Sequence, residues 1–343
     1  MNDLVPAATS DPVALLDEVP LSEAEAGYVE AARAANTLRG YRSDWKEFAT
    51  WSAEHPDPRN ETGPMPAAPA QISSYLTELA LAGAKTGTLS RRLSAIRFVH
   101  QLNNHPDPTR NARVIAVWEG IRRTHGAPPD QANPLMPPDL FDVVDACPST
   151  KVWRTKGRPD EPDLAGARDR VLLLVGFVAA LRRSELAAIR VDDFEDHPNG
   201  LVLTIPRSKT NQTGGQSELV VLPRAANPAR CPVTAIQRWQ ELAKITTGPL
   251  LQAVLKSNKP AGRPLNPASI NAILQEAIRR AGIIPDGFSA HSLRAGFVTY
   301  AHLRGASDRA IAHQTRHRSL ATLGTYVRVQ QAWVDNAATT LGL

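Results

Sequence analysis

Apolar residues recur along most of this chain three and four positions apart, the spacing of helices, and only briefly at the two-residue spacing of a strand. In "TLRGYRSDWKEFATWSAEH" the residues Leu38, Tyr41, Trp45, Phe48 and Trp51 fall on one helical face. "PAQISSYLTELALAG" predicts a second helix stopped by its glycine. "TGTLSRRLSAIRFVHQLNN" predicts a third, with Leu89, Leu93, Ile96 and Val99 as its stripe, and "RNARVIAVWEGIRRTHG" a fourth. The pattern then breaks. "GAPPDQANPLMPPD", 126–139, carries five prolines and cannot hold a helix, which predicts a linker between two domains. Beyond it, "VLLLVGFVAAL" (171–181) is apolar throughout and reads as a buried helix, too short to span a bilayer. "GLVLTIPRSK" and "SELVVLP", joined by the polar "TNQTGG", predict a β-hairpin. Helical spacing resumes in "CPVTAIQRWQELAKI", "NPASINAILQEAIRRAG", "HSLRAGFVTYAHLRG", "SDRAIAHQTRH" and "SLATLGTYVRV", and the chain closes on a short amphipathic tail, 331–343. The expectation is a mainly α protein of two domains. An arm (1–20) precedes a helical domain (21–125), and a mixed α/β domain, mostly helical with a small antiparallel sheet, follows the linker (140–330).

With 343 residues the chain is long enough for two cores. Its net charge of +5 makes a polyanion a plausible partner, and the uneven distribution strengthens that reading. Residues 1–30 hold seven acidic side chains and no Lys or Arg, whereas 84–126 and 279–328 are rich in arginine. Two cysteines, Cys147 and Cys231, suit neither a disulfide framework nor a metal site, and the N-terminus has no signal-peptide pattern. A soluble protein of a reducing cytoplasm is expected, without a membrane span.

Chemistry is concentrated at a few positions. In "ALRRSELAAIRVDDF", Arg182 and Glu185 are three apart, so on a helix the carboxylate would steady the guanidinium. Most such pairs are surface decoration. In "AHSLRAG", His291 and Arg294 repeat the spacing and place a fork of donors beside a group that titrates near neutrality, a combination suited to an oxyanion. Lys209 sits where the hairpin turns. "TRHRSLATLGTY" sets Tyr326 nine residues after His317, in a stretch otherwise small and polar. Alone, such a tyrosine is most often a packing residue.

Taken in this order, Arg182 with Glu185, Lys209, His291 with Arg294, His317 and Tyr326 resemble the boxes of the tyrosine site-specific recombinases, the phage integrase family of lambda integrase, the Xer recombinases and Cre. The resemblance extends over most of the chain, with 21–125 similar to the SAM-like core-binding domain and 140–330 to the catalytic domain. It implies that Tyr326 attacks a phosphodiester to leave a 3′-phosphotyrosyl bond and a free 5′ hydroxyl, in integration, excision or resolution. Arg182 and Arg294 would clamp the non-bridging oxygens, His317 would donate a further hydrogen bond, Lys209 would protonate the leaving oxygen and His291 would accept the tyrosine proton. No metal, ATP or other cofactor is implied. The implied partner is double-stranded DNA with an inverted-repeat site, bound by a homotetramer across two sites, with the 331–343 tail docked on a neighbouring subunit. Arg39, Arg42, Arg91, Arg92, Arg97 and Arg316 are the expected DNA contacts, and a nucleoid-associated location follows. Three positions depart from the family pattern: Ala180 stands where a glycine is usual, Arg183 where an apolar residue usually follows the arginine, and Arg316 where a glycine commonly precedes the histidine, adding a charge near the site. A type IB-like topoisomerase shares this chemistry. A catalytically silent DNA-binding regulator shares the fold, and the presence of every box argues against it.

Overall fold

Helices carry the described part of the first unit, which extends to Asp130. The computed structural model describes residues 28, 33–56, 64–128, 131–154, 158–205 and 218–317. Helix α1 is Ala35–Glu54, α2 Pro69–Leu81, α3 Thr86–Leu102 and α4 Ala112–His125. Pro69 opens α2 at the position where its missing N–H costs nothing. Gly83, at φ +84°, closes it, the Ala84 N–H reaching back to the Leu79 carbonyl and the Gly83 N–H to that of Ala80. The predicted stripe of α3 is buried from Leu89 to Val99, and it packs on Phe48, Ile72, Leu76, Val114 and Ile121. Along α1 only Phe48 of the predicted face is fully buried, with Trp45 and Trp51 packed at the margin.

Among the buried polar side chains described in this unit, one is completely enclosed. His100 is fully buried, its Nε2 accepting the Ala67 N–H at 2.8 Å and its Nδ1–H donating to the Ile96 carbonyl at 2.7 Å. Both nitrogens are satisfied only in the neutral ring. Burial lowers its proton affinity accordingly.

The second unit begins at Gln131, inside the stretch read as a linker. Asn133 donates its N–H to the Gly287 carbonyl (2.8 Å), and Leu135, fully buried, donates to that of Ser292 (2.9 Å). The prolines here break the helix, but the chain is held on the domain.

Helices α5 (Asp139–Asp145), α6 (Leu164–Val178), α7 (Arg183–Ala188), α8 (Pro232–Ala243), α9 (Pro267–Arg280), α10 (His291–Leu303) and α11 (Asp308–Thr315) carry this unit. The apolar run forms the C-terminal half of α6 and runs past its end, and Val171, Leu172, Leu173 and Val175 are fully buried against residues that include Trp239, Leu274 and Leu293. Gly296 allows α10 to approach the proline-rich segment, since a Cβ there would meet the Leu135 carbonyl oxygen at 1.9 Å.

The expected hairpin is present. Strands β4 (Gly200–Ile205) and β5 (Glu218–Pro223) pair antiparallel from Gly200 opposite Pro223 to Ile205 opposite Glu218. Alternation is clean: Leu201, Leu203, Ile205, Val220 and Leu222 are buried, while Leu219 and Val221 face solvent. Residues 206–217, with Lys209, lie outside the described residues. The sheet also has a third strand, β3 (Phe194–His197), and two further hairpins stand apart: β1 (Thr150–Lys151) with β2 (Glu161–Pro162), and β6 (Gln252–Val254) with β7 (Pro260–Pro264). None of these five strands was expected. Each is five residues or fewer, and β7 is built of "PAGRP", which has no alternation to read.

Candidate active site

The carboxyl end of α6 delivers the first box. After Val178 the chain leaves the helix through Ala180, whose φ of +47° lies in the left-handed region. Left-handed backbone costs an L-residue about 1–2 kcal/mol and a glycine almost nothing, which explains why glycine suits this turn. Arg182 is the N-cap of α7, not a residue on its face. Its tie to Glu185 is a capping contact: the Arg182 N–H donates to Glu185 Oε2 at 2.9 Å, and Arg182 Nη1 to Oε1 at 2.8 Å. Glu185 is buried, while neighbouring Arg183 is exposed.

Helix α10 delivers the second box. His291 is its first residue, still reaching solvent, and Arg294, one turn on, is 1 % exposed. Arg294 Nη1 donates to the carbonyl of Ala180 at 2.6 Å, and its Nη2 donates to the Thr315 carbonyl at 2.5 Å and to His317 Nε2 at 3.1 Å. One guanidinium thus ties α10, the turn after α6 and the end of α11.

These contacts fix the tautomer of His317. A guanidinium only donates, so Nε2 carries the lone pair and the proton sits on Nδ1. Nδ1 donates to Thr315 Oγ1 at 2.7 Å, and that hydroxyl passes its own proton to the Ile311 carbonyl at 2.7 Å. Burial first, then the charges of Arg294 and Arg182, push His317 down to about 4. The same causes in the same order lower His291. Both rings are neutral at ordinary pH, and both feel the same two cations, so the four side chains form one cluster. His317, expected as a hydrogen-bond donor, is in this structure the acceptor of Arg294. Thr315, which holds its other nitrogen, carried no signal in the sequence.

Arg316 departs most from expectation. The sequence predicts a DNA contact, yet its side chain is 4 % exposed. Its Nη2 meets Glu185 Oε2 at 2.5 Å and its Nε lies 3.2 Å from Glu218 Oε2, while Nη1 approaches the carbonyls of Ala179 and Gln314, each at 3.4 Å. Burial pushes Glu185 up, but Arg316 and Arg182 outweigh it and hold the carboxyl below its ordinary range. Tyr326 and the 331–343 tail, like Lys209, lie outside the described residues.

The other arginines expected at DNA belong to the first unit. Arg39 and Arg42 are exposed, Arg39 donating to Asn36 Oδ1 at 3.1 Å. Arg91 forks onto Asp44 (2.7 and 2.9 Å), Arg92 reaches Glu47 and the Tyr75 hydroxyl, and Arg97 lies 3.1 Å from Asp107. Each of these three is engaged within its own unit.

Comparison with known proteins gives the same architecture. Residues 158–332 match the phage integrase family, and 28–103 match its N-terminal SAM-like domain. An integrase/recombinase xerD homolog of Selenomonas ruminantium is 30% identical over 312 residues, covering 90% of this chain and 86% of that one. The tyrosine recombinase XerC of Thermodesulfovibrio yellowstonii is 24% identical over 299 residues, 86% of each chain. Among solved structures, a XerH site-specific recombinase on palindromic difH substrate, a post-cleavage complex, has the same fold with a TM-score of 0.61 at 14% identity, over 89% of this chain and 78% of that one. A lambda integrase dimer on a core site gives 0.58, also at 14%, over 90% and 75%. This chain belongs to the phage integrase family, the tyrosine recombinases, which cleave and rejoin DNA strands site-specifically through a covalent phosphotyrosine.

Proposed function

We propose that Tyr326 is the nucleophile and that the Arg182–Arg294–His291–His317 cluster receives the phosphodiester it attacks. The observation that carries this is the hydrogen-bonded chain from Ala180 through Arg294 to His317 and Thr315, beside an Arg182 anchored on Glu185. Cleaving a phosphodiester accumulates charge on the non-bridging oxygens, and preorganised guanidinia stabilise that charge without reorganising. Arg294 is held rigid by backbone carbonyls, which makes it such a group. His291, neutral and solvent-reaching, accepts the phenolic proton, Lys209 gives a proton to the departing 5′ oxygen, and His317 aims Nη2 of Arg294 with its lone pair. Rejoining is the same step in reverse, with a 5′ hydroxyl of the partner strand as nucleophile, so the phosphotyrosyl bond conserves the energy of the phosphodiester.

The DNA substrate is a duplex with an inverted-repeat site, bound through backbone phosphates by both units, and two such sites are bridged by four subunits in the cytoplasm. The 331–343 tail, with Trp333, Val334 and Leu341, docks on the neighbouring subunit. Denaturing cells that express the protein and isolating it should recover DNA joined to the wild type and none joined to Tyr326→Phe. A DNA adduct of the Phe variant would overturn the assignment. Sequencing the recovered DNA identifies the site. Exchange of strands between two duplexes bearing it, as opposed to relaxation of supercoils alone, separates a recombinase from a topoisomerase.

A further inference from the structure

Arg316 occupies the αL position that ends α11, with φ 59° and ψ 41°. A glycine would take this conformation without cost, and an arginine takes it only where surrounding contacts over-determine it. Those contacts are specific: the buried guanidinium lies between the carboxylates of Glu185 on α7 and Glu218 at the start of β5. Glu185 is shared, since its other oxygen receives Nη1 of Arg182. The groups facing Glu185 are therefore Arg182 from its own N-cap and Arg316 from α11. Those facing Arg316 are Glu185, Glu218, the like charge of Arg182 and the carbonyls of Ala179 and Gln314. Two consecutive carbonyls before the first box are gripped by two different guanidinia, Ala179 by Arg316 and Ala180 by Arg294.

We propose that Arg316 is a positioning residue for the cleavage step: it locks the carboxylate of Glu185 and through it sets where Arg182 presents its guanidinium to the phosphate. Glu218, opposite Ile205 at the base of the hairpin that carries Lys209, is pulled onto the same guanidinium. The ion-pair chain Arg182–Glu185–Arg316–Glu218 thus joins the phosphate clamp to the root of the hairpin. The charge that breaks the family pattern works from inside the domain, without touching DNA. The role rests on the proposed strand cleavage, so the wild-type adduct must be seen before it is tested.

Arg316→Gly removes the guanidinium while leaving a residue at ease with φ 59°. The probe is a nicked duplex carrying the sequence recovered from wild-type adducts. In single-turnover cleavage the Gly variant should be slower by about 10- to 100-fold, the loss that follows from misplacing a catalytic group by about 1 Å, with duplex affinity unchanged. In a Glu185→Gln background the same substitution should add no further loss, because the path through the carboxylate is already cut. Arg316→Lys, which supplies one cation but not a fork spanning two carboxylates, should cleave at an intermediate rate. It also decides the matter should the Gly variant fail to fold. Wild-type rates in both variants, affinity falling in step with rate, or an undiminished loss in the Gln background would each overturn the proposal.

Discussion

The arginines of the two units are arranged by opposite rules. In the first unit Arg91, Arg92 and Arg97 sit at the surface and are held by carboxylates, with side chains from 15 to 55 % exposed. In the second, Arg294 and Arg316 are interior and grip the backbone carbonyls of Ala179, Ala180, Gln314 and Thr315, next to two residues in left-handed backbone, Ala180 and Arg316 itself. The first arrangement pairs each cation with a carboxylate of its own unit. The second fixes buried cations by hydrogen bonds to the backbone of the turn after α6 and the end of α11, so their loss would cost the fold as well.

The comparison is broken most severely at Arg294. Arg294→Ala should abolish cleavage and lower stability by about 3 kcal/mol, because two buried carbonyls lose their donor. Urea unfolding measures the second effect. A substrate with sulfur in place of the bridging 5′ oxygen sharpens the first: Lys209→Ala should recover on it, since a thiolate leaves without a proton, and Arg294→Ala should not.

Smaller losses are expected in the first unit, and they should be graded by the partner's burial. Asp44 is 1 % exposed, so Arg91→Ala should destabilise by about 1–2 kcal/mol, discounted because the guanidinium itself is half in water. Arg92→Ala at the exposed Glu47 should cost about 0.5 kcal/mol. Equal unfolding midpoints for the two variants would contradict the grading.

Acid should act on His100 in the first unit and on His291 and His317 in the second. His317 takes a proton at about 4 in the folded chain, and His100 is lowered by burial, whereas in an unfolded chain histidine titrates near 6.5. The unfolded state therefore binds more protons in that window. Stability is complete above about pH 6.5 and declines as pH falls toward about 4. His100→Asn should lower stability at neutral pH and flatten this decline for the first unit, read by denaturant unfolding across the window.

What the sequence revealed follows from what each residue does locally. Arg182, Glu185, His291, Arg294 and His317 were legible because they recur in a fixed order, and the structure gathers all five. The buried role of Arg316 was not, since its partners Glu185 and Glu218 are remote in sequence and a charged side chain beside a box reads as a surface contact. Helices with a continuous stripe, such as α3, were legible down to individual core residues. Strands β6 and β7 were not, because two short strands stabilise each other through backbone bonds that leave no alternation in the sequence. Before Asp139 the described residues of the proline-rich stretch hold no helix, as the prolines dictate, whereas its attachment through Leu135 depends on a carbonyl in α10 that the sequence does not reveal.

The account's central claim is that Tyr326 forms the bond to DNA with the cationic cluster of the second unit around the phosphate. The direct measurement is mass spectrometry of the peptide that carries the nucleotide after nuclease and protease digestion of the trapped adduct. The account predicts a nucleotide joined through its 3′ phosphate to the peptide containing Tyr326. A nucleotide on any other residue, or one joined through its 5′ phosphate, would contradict it.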